Sequence, residues 1–150
     1  MGNNDYELDH EQLILLLESM DVIILKNRIE VLERNGEKLL FVGVDDMSQY
    51  PEQIDAMINK IKNISFKIVL VHNPKYIDTL SGEEDISLML SGHTHGGQIR
   101  IFGFGPYEHG GIKQINGMTL LVSNGYGTSL LPLRLGAKPE VHLITLEHRM

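Results

Sequence analysis

The 150-residue chain contains no cysteine and no tryptophan. Without thiols it can form neither disulfides nor thiolate metal sites, and a cysteine-free chain fits a reducing compartment. Long apolar runs are absent as well. The longest, Leu13–Leu17 and Val22–Leu25, fall far short of the ~20 residues that a membrane helix needs. Residues 1–12 are polar and acidic, so no secretory signal is expected at the start. Basic residues are scarce: the net charge is −7, and the first sixty residues hold 13 of the 20 acidic but only 5 of the 13 basic side chains. With no basic stripe to neutralise phosphates, duplex nucleic acid is a poor partner. The nearly neutral remainder can admit a small anion, most easily alongside a bound cation.

What is present reads as one globular domain or a piece of one, with 42% hydrophobic and 22% charged residues. Val22–Leu25 and Arg28–Leu32 read as short strands around Lys26-Asn27, and Asn35-Gly36 is a hairpin signal leading into an apolar strand at Lys38–Val44. The three together suggest a meander. Tyr50-Pro51-Glu52 opens a helix whose apolar face is Ile54, Met57, Ile58 and Ile61. Strands are expected at Lys67–Val71 and Ile86–Leu90, with a short helix at Tyr76–Leu80. Gly-punctuated strands follow at Gln98–Phe102, Ile112–Ile115, Met118–Val122 and Val141–Leu146, with Asn116-Gly117 as a second hairpin turn. The order is mixed α/β.

Polar clusters fall where apolar strands end, the position at which α/β layers place their chemistry. His72 follows one strand; Ser91-Gly92-His93-Thr94-His95-Gly96-Gly97-Gln98 follows another; Gly2-Asn3-Asn4-Asp5 lies at the chain start. In an extended segment His93 and His95 would point the same way, about 6–7 Å apart. That spacing suits two cations roughly 3.5–4 Å apart better than one shared ion. Taken singly, each feature has a plainer explanation: a Gly-rich turn, a strand-end histidine, a helix cap.

Taken together, these segments resemble the calcineurin-like metallophosphoesterase superfamily, and more closely its bacterial membrane-associated branch. Five motifs mark that family in order: D-x-H, G-D-x-x-D, G-N-H-[DE], a strand-end His, and G-H-x-H. The last three are matched by Gly2-Asn3-Asn4-Asp5, Val71-His72-Asn73-Pro74 and Gly92-His93-Thr94-His95. The match continues through Gly96-Gly97-Gln98 and Asn124-Gly125-Tyr126-Gly127-Thr128-Ser129 to Leu131-Pro132-Leu133-Arg134. The resemblance implies a four-layer αββα sandwich with mixed sheets. The whole chain, 1–150, would be the C-terminal portion of that domain, with its N-terminal strands and helices missing.

The resemblance also implies the chemistry: hydrolysis of a phosphoester through in-line attack by a metal-bound hydroxide. Asn3, His72 and His93 would ligate one metal and His95 the other. The cations would be Mn, Fe, Zn, Co or Ni, nominally dinuclear and partly occupied here. Asn4 and Asp5 would be the catalytic pair, with Asp5 holding the turn; Arg134 and His109 are candidates for contacting substrate. Asn4 stands where the family has His, and an amide cannot act as a general acid near pH 7. The missing motifs would supply carboxylates, so the chain alone is expected to be weak or inactive. A non-catalytic interaction module is the alternative. The substrate would be a nucleotide- or lipid-linked phosphoester. The partner would be a second copy or the missing half, and the setting cytoplasmic, with an upstream segment as the route to a membrane.

Other polar residues read as structural. His10, His142 and His148 are expected at the surface or tail, and Asp45-Asp46 in a strand-end turn. The glycines between 103 and 127 form no G-x-G-x-x-G strand-to-helix unit, which argues against dinucleotide binding.

Overall fold

A computed structural model describes residues 1–7, 9–45, 64, 66–80, 85–107 and 109–147. The helix expected from Tyr50 to Ile61, Asp46 and His148 lie outside the described residues. The described chain is mixed α/β. One helix, α1 (His10–Ser19), precedes six strands: β1 (Arg28–Arg34), β2 (Glu37–Val44), β3 (Phe66–Val71), β4 (Leu88–Ser91), β5 (Gly111–Ile115) and β6 (Met118–Val122). They form one sheet in the order β1-β2-β3-β4-β6-β5.

Two Asn-Gly turns set the edges of this sheet. Asn35 and Gly36 have φ of 54° and 81°, and Asn116 and Gly117 have 51° and 84°. Positive φ at both central residues is the type I′ geometry, whose twist matches that of the flanking strands. The turns place Arg34 opposite Glu37 and Ile115 opposite Met118, so both edge pairs are antiparallel. Between them β2, β3, β4 and β6 run parallel. Their sequences are nearly continuously apolar, as strands covered on both faces must be. One face carries the core, in which Leu40, Val42, Val69, Met89 and Leu120 pack with Tyr76 from the short 3₁₀ helix Pro74–Thr79. Parallel pairing also brings the carboxyl ends of these strands to one edge, which fixes where the polar loops can meet.

Several expected elements differ. Val22–Leu25 is not a strand. A Cβ added to Gly43 would overlap the Leu25 side chain and carbonyl, so this segment crosses the sheet face over β2 and does not extend its edge. The meander is therefore a two-stranded hairpin. Gln98–Phe102 makes isolated bridges only, from Ile99 to Leu135 and Gly136 and from Ile101 to Phe104. Gln98 and Phe102 both have positive φ, 50° and 51°, which breaks an extended run. No strand forms over 141–147, where Val141 and Leu143 are exposed. β4 begins two residues later than expected, at Leu88. Asp9 caps α1 by accepting the Gln12 N–H at 3.2 Å, yet the helix buries none of its residues. No helix among the described residues is long and apolar enough to cross a membrane.

The Leu25 crossing depends on Gly43. Gly43→Ala should lower the unfolding free energy by about 1–3 kcal/mol, the usual cost of overpacking, as read by urea denaturation. A change below about 0.5 kcal/mol, within the range of an ordinary surface substitution, would show that Leu25 does not pack there.

Candidate active site

β3 ends at Val71 and β4 at Ser91, side by side in a parallel pair, and each hands over to a histidine-bearing loop. The Gly92 N–H donates to the His72 carbonyl at 3.0 Å, tying the two loops together at the sheet edge. The His72 and His93 rings consequently meet edge to face, 5.0 Å between centroids at 79°. The 3₁₀ turn Asn3–Glu7 closes on them from the chain start. A Cβ on Gly2 would stand 2.8 Å from His72 Cγ and Nδ1, so glycine lets this turn lie directly on the imidazole. Asp5 Oδ2 accepts the Gly2 N–H at 2.8 Å and holds the turn shut.

Within the turn, Asn3 Nδ2 donates to Asn4 Oδ1 at 2.7 Å, which leaves Asn3 Oδ1 facing His93 Nδ1 at 3.2 Å. Asn3, Asn4, His72, His93 and His95 line a cavity of about 530 Å³ together with Ile99, Pro106, Tyr107, Leu130 and Leu131, and the Tyr107 ring stands edge-on to His93 at 6.3 Å between centroids. Asp5, His109 and Arg134 are not among its lining residues. His72 is half-buried, and burial, followed by the neighbouring His93, pushes its pKa below the ordinary histidine value. The neutral ring keeps a lone pair available for an electrophile.

The loop carrying both histidines is not extended. His93 has φ 67°, Thr94 φ −73° and ψ −17°, and His95 φ 49°. The expected same-side pair at strand spacing is therefore replaced by two rings with different surroundings. His93 faces Asn3, whereas His95 Nδ1 lies 3.3 Å from the Gly127 carbonyl and 3.5 Å from Arg134 Nη2. Left-handed backbone at a non-glycine residue costs about 1–2 kcal/mol, and three polar side chains hold it in place. Arg134 turns inward, donating to the carbonyls of His95 at 2.9 Å, Asn124 at 2.7 Å and Gly127 at 2.6 Å. Asn124 Oδ1 accepts the Gly110 N–H at 2.9 Å and packs where a Cβ on Gly96 would be. The Gln98 amide bonds to the backbone of Ser129 and Leu131. Gln98 and Asn124 have no role in the reading from sequence, although both fall in the segments that carry the resemblance. Their signal is a carboxamide beside glycines, where only buried backbone is left to bind.

The remaining candidates sit elsewhere. His109 Nδ1 lies 3.0 Å from the Gly110 carbonyl. Asp45, at the end of β2, is buried against Lys26 at 3.6 Å, the chain-start amine at 3.5 Å and the Tyr6 hydroxyl. His142 bonds to Ser123 Oγ at 3.1 Å, and the His10 ring packs on Tyr6.

Among the described residues, no three His, Cys, Asp or Glu side chains are grouped closely enough to hold a metal ion. The donors that do meet are one amide oxygen and two imidazoles, with a third imidazole in the same cavity. Neutral N/O donors of this kind suit a borderline divalent transition metal. They fit one side of a coordination shell, and none of the described lining residues adds a carboxylate.

No family model matches the chain. Bacillus subtilis YpbG is 40% identical over 145 residues, covering 97% of this chain and 56% of YpbG. Bacillus subtilis YkuE, named an uncharacterized metallophosphoesterase, is 32% identical over 121 residues, covering 75% of this chain and 42% of its own. By homology the chain belongs to the metallophosphoesterase superfamily. It spans about half the length of these relatives. Haemophilus influenzae NAD nucleotidase shares the fold, with a TM-score of 0.56 at 20% identity over 83% of this chain and 32% of the nucleotidase. The six-stranded mixed sheet is thus part of a metallophosphoesterase fold.

The state of His72 gives a pH signature. Its folded pKa lies below the unfolded value of about 6.5. The unfolded chain then binds the proton first, so stability drops as pH falls from about 6.5 towards the folded pKa and levels off below it. Urea titrations across this window should show that slope in the wild type and a flatter one in His72→Asn. Equal slopes would mean that the ring is solvated.

Proposed function

We propose that this chain is the C-terminal part of a metal-dependent phosphoesterase domain. The observation that carries the reading is the meeting of Asn3, Asn4, His72, His93 and His95 around one cavity at the carboxyl edge of a parallel sheet. Homology to metallophosphoesterases supports the reaction class. Because the chain spans about half of its relatives, activity is assigned to the completed domain. The isolated chain is expected to turn over weakly or not at all.

In this reading Asn3, His72 and His93 hold one divalent cation and His95 addresses a second, from the Mn, Fe, Zn, Co or Ni group. When bound, such cations acidify water and offset the charge that develops on phosphoryl oxygens. The chain's own residues supply arrangement. Burial keeps His72 neutral. The Asn3–Asn4 hydrogen bond aims the Asn3 carbonyl at His93, and Asp5 locks the turn beneath it. The Asn4 amide can donate a hydrogen bond to a phosphoryl oxygen but no proton to a leaving group. Arg134 acts from outside the cavity, holding the His95 loop through backbone carbonyls.

Exposed apolar residues support a partner. Leu15, Leu16, Met20 and Ile23 are exposed on and after α1, and such clusters mark interfaces. The occupant proposed is the upstream half of the domain or a second copy. One observation favours a second reading, a non-catalytic binding module: the described cavity lining contains no carboxylate.

Turnover decides between the two. The chain is mixed with an upstream half carrying D-x-H and G-D-x-x-D, and bis-p-nitrophenyl phosphate hydrolysis should then depend on Mn²⁺. Asn4→His should raise turnover of esters with poor leaving groups by ~10²–10⁴, the usual worth of a general acid, and affect activated esters less. A reconstituted pair without metal-dependent turnover leaves the binding module.

A further inference from the structure

The cavity has a wall that a phosphoryl group alone would not use. Beside the asparagines and histidines, Tyr107, Leu130 and Leu131 line the same cavity. Leu130 is unusual in two ways. Its side chain is fully exposed, and its backbone is left-handed at φ 65°. A branched apolar residue is rare in that conformation, and water gives it no return for being there.

The loop is braced all the same. Gln98, itself buried, donates through Nε2 to the Ser129 carbonyl at 3.0 Å and the Leu131 carbonyl at 2.9 Å. Its Oε1 accepts the Ser129 N–H at 2.6 Å. One carboxamide thus pins the residue on each side of Leu130 and leaves Leu130 as the apex. Backbone held in a sparsely populated region by its surroundings points to function. Here the function must employ an apolar group at the edge of a polar site.

We propose that Leu130, backed by Leu131, is the specificity-determining lip of this site. It would receive an apolar substituent of the substrate while the phosphoryl group lies over Asn3, His72 and His93. The substrate class is a phosphoester with an aryl or alkyl group next to the ester oxygen, in preference to one with a small or polar alcohol. The inference rests on the phosphoesterase reading and adds the side of the ester that the site selects.

The test is the binding of two monoanionic phosphonates of equal charge, monophenyl and monoethyl methylphosphonate, followed by calorimetry with Zn²⁺ present. The phenyl compound should bind at least ~10-fold more tightly, the scale of a filled apolar pocket. In Leu130→Gly the ratio should fall towards one. Glycine tolerates positive φ, so the urea midpoint of that variant should not drop, which separates lost selectivity from lost folding. Equal binding of the two compounds by the wild type, or an unchanged ratio in Leu130→Gly, overturns the lip and leaves the phosphoesterase reading standing. Binding of neither compound overturns the lip as well, while the phosphoesterase reading is decided by turnover of the completed domain. Leu130-dependent sedimentation with phosphatidylglycerol vesicles, without any preference between the phosphonates, would assign the residue to a lipid surface and overturn the substrate assignment.

Discussion

Parallel pairing of β3 with β4 is the constraint on which the rest of the structure depends. Two strands that run the same way and end at the same level must deliver their next residues to the same edge. In this chain those residues are His72 and the loop beginning at Gly92, and the Gly92 N–H bonded to the His72 carbonyl fixes their relation. Neither imidazole is placed by its own neighbours in sequence. Both are placed by apolar side chains such as Val69 and Met89, buried beneath them in the core. The site is thus a consequence of sheet register, and a one-residue slip would send each side chain to the opposite face.

A second layer of order lies in the loops. Left-handed residues at 93, 95 and 98 would not stay in place unaided, and the polar side chains of Gln98, Asn124 and Arg134 brace them through backbone groups. Charge-assisted bonds from one guanidinium to several carbonyls are stronger than neutral ones. Arg134 is better used this way than on a surface ion pair, which is worth ~0–1 kcal/mol. Glycines 2 and 96 complete the arrangement by leaving room for a ring and a carboxamide. The glycine-rich, polar character of the segments that carry the family resemblance thus follows from the packing of loop on loop.

Much of the architecture was legible in the sequence. The two Asn-Gly turns announced their hairpins, because few dipeptides accept positive φ twice in succession. The apolar runs before His72 and before Ser91 announced strands, though not that the two pair in parallel. The shape of the His93–His95 loop was not legible: alternation in sequence suggests an extended segment, whereas hydrogen bonds from residues 30 or more positions away curl it. Val22–Leu25 was misread for a related reason. Its composition suits a strand, but the partner that decides its place is a glycine on the face of β2. The lip at Leu130 has no sequence signature at all, since a leucine two residues before Pro132 is unremarkable until its backbone angle and its Gln98 brace are seen.

The central claim is that three neutral donors on separate segments surround one cation position. Crystals of the chain grown with Mn²⁺ and measured at the manganese edge test it directly. The account predicts an anomalous peak within ligating distance of Asn3 Oδ1 and His93 Nδ1, with the His72 ring as a third donor. Strong manganese peaks only outside this cavity, or none with Asn3 turned away from His93, would contradict it.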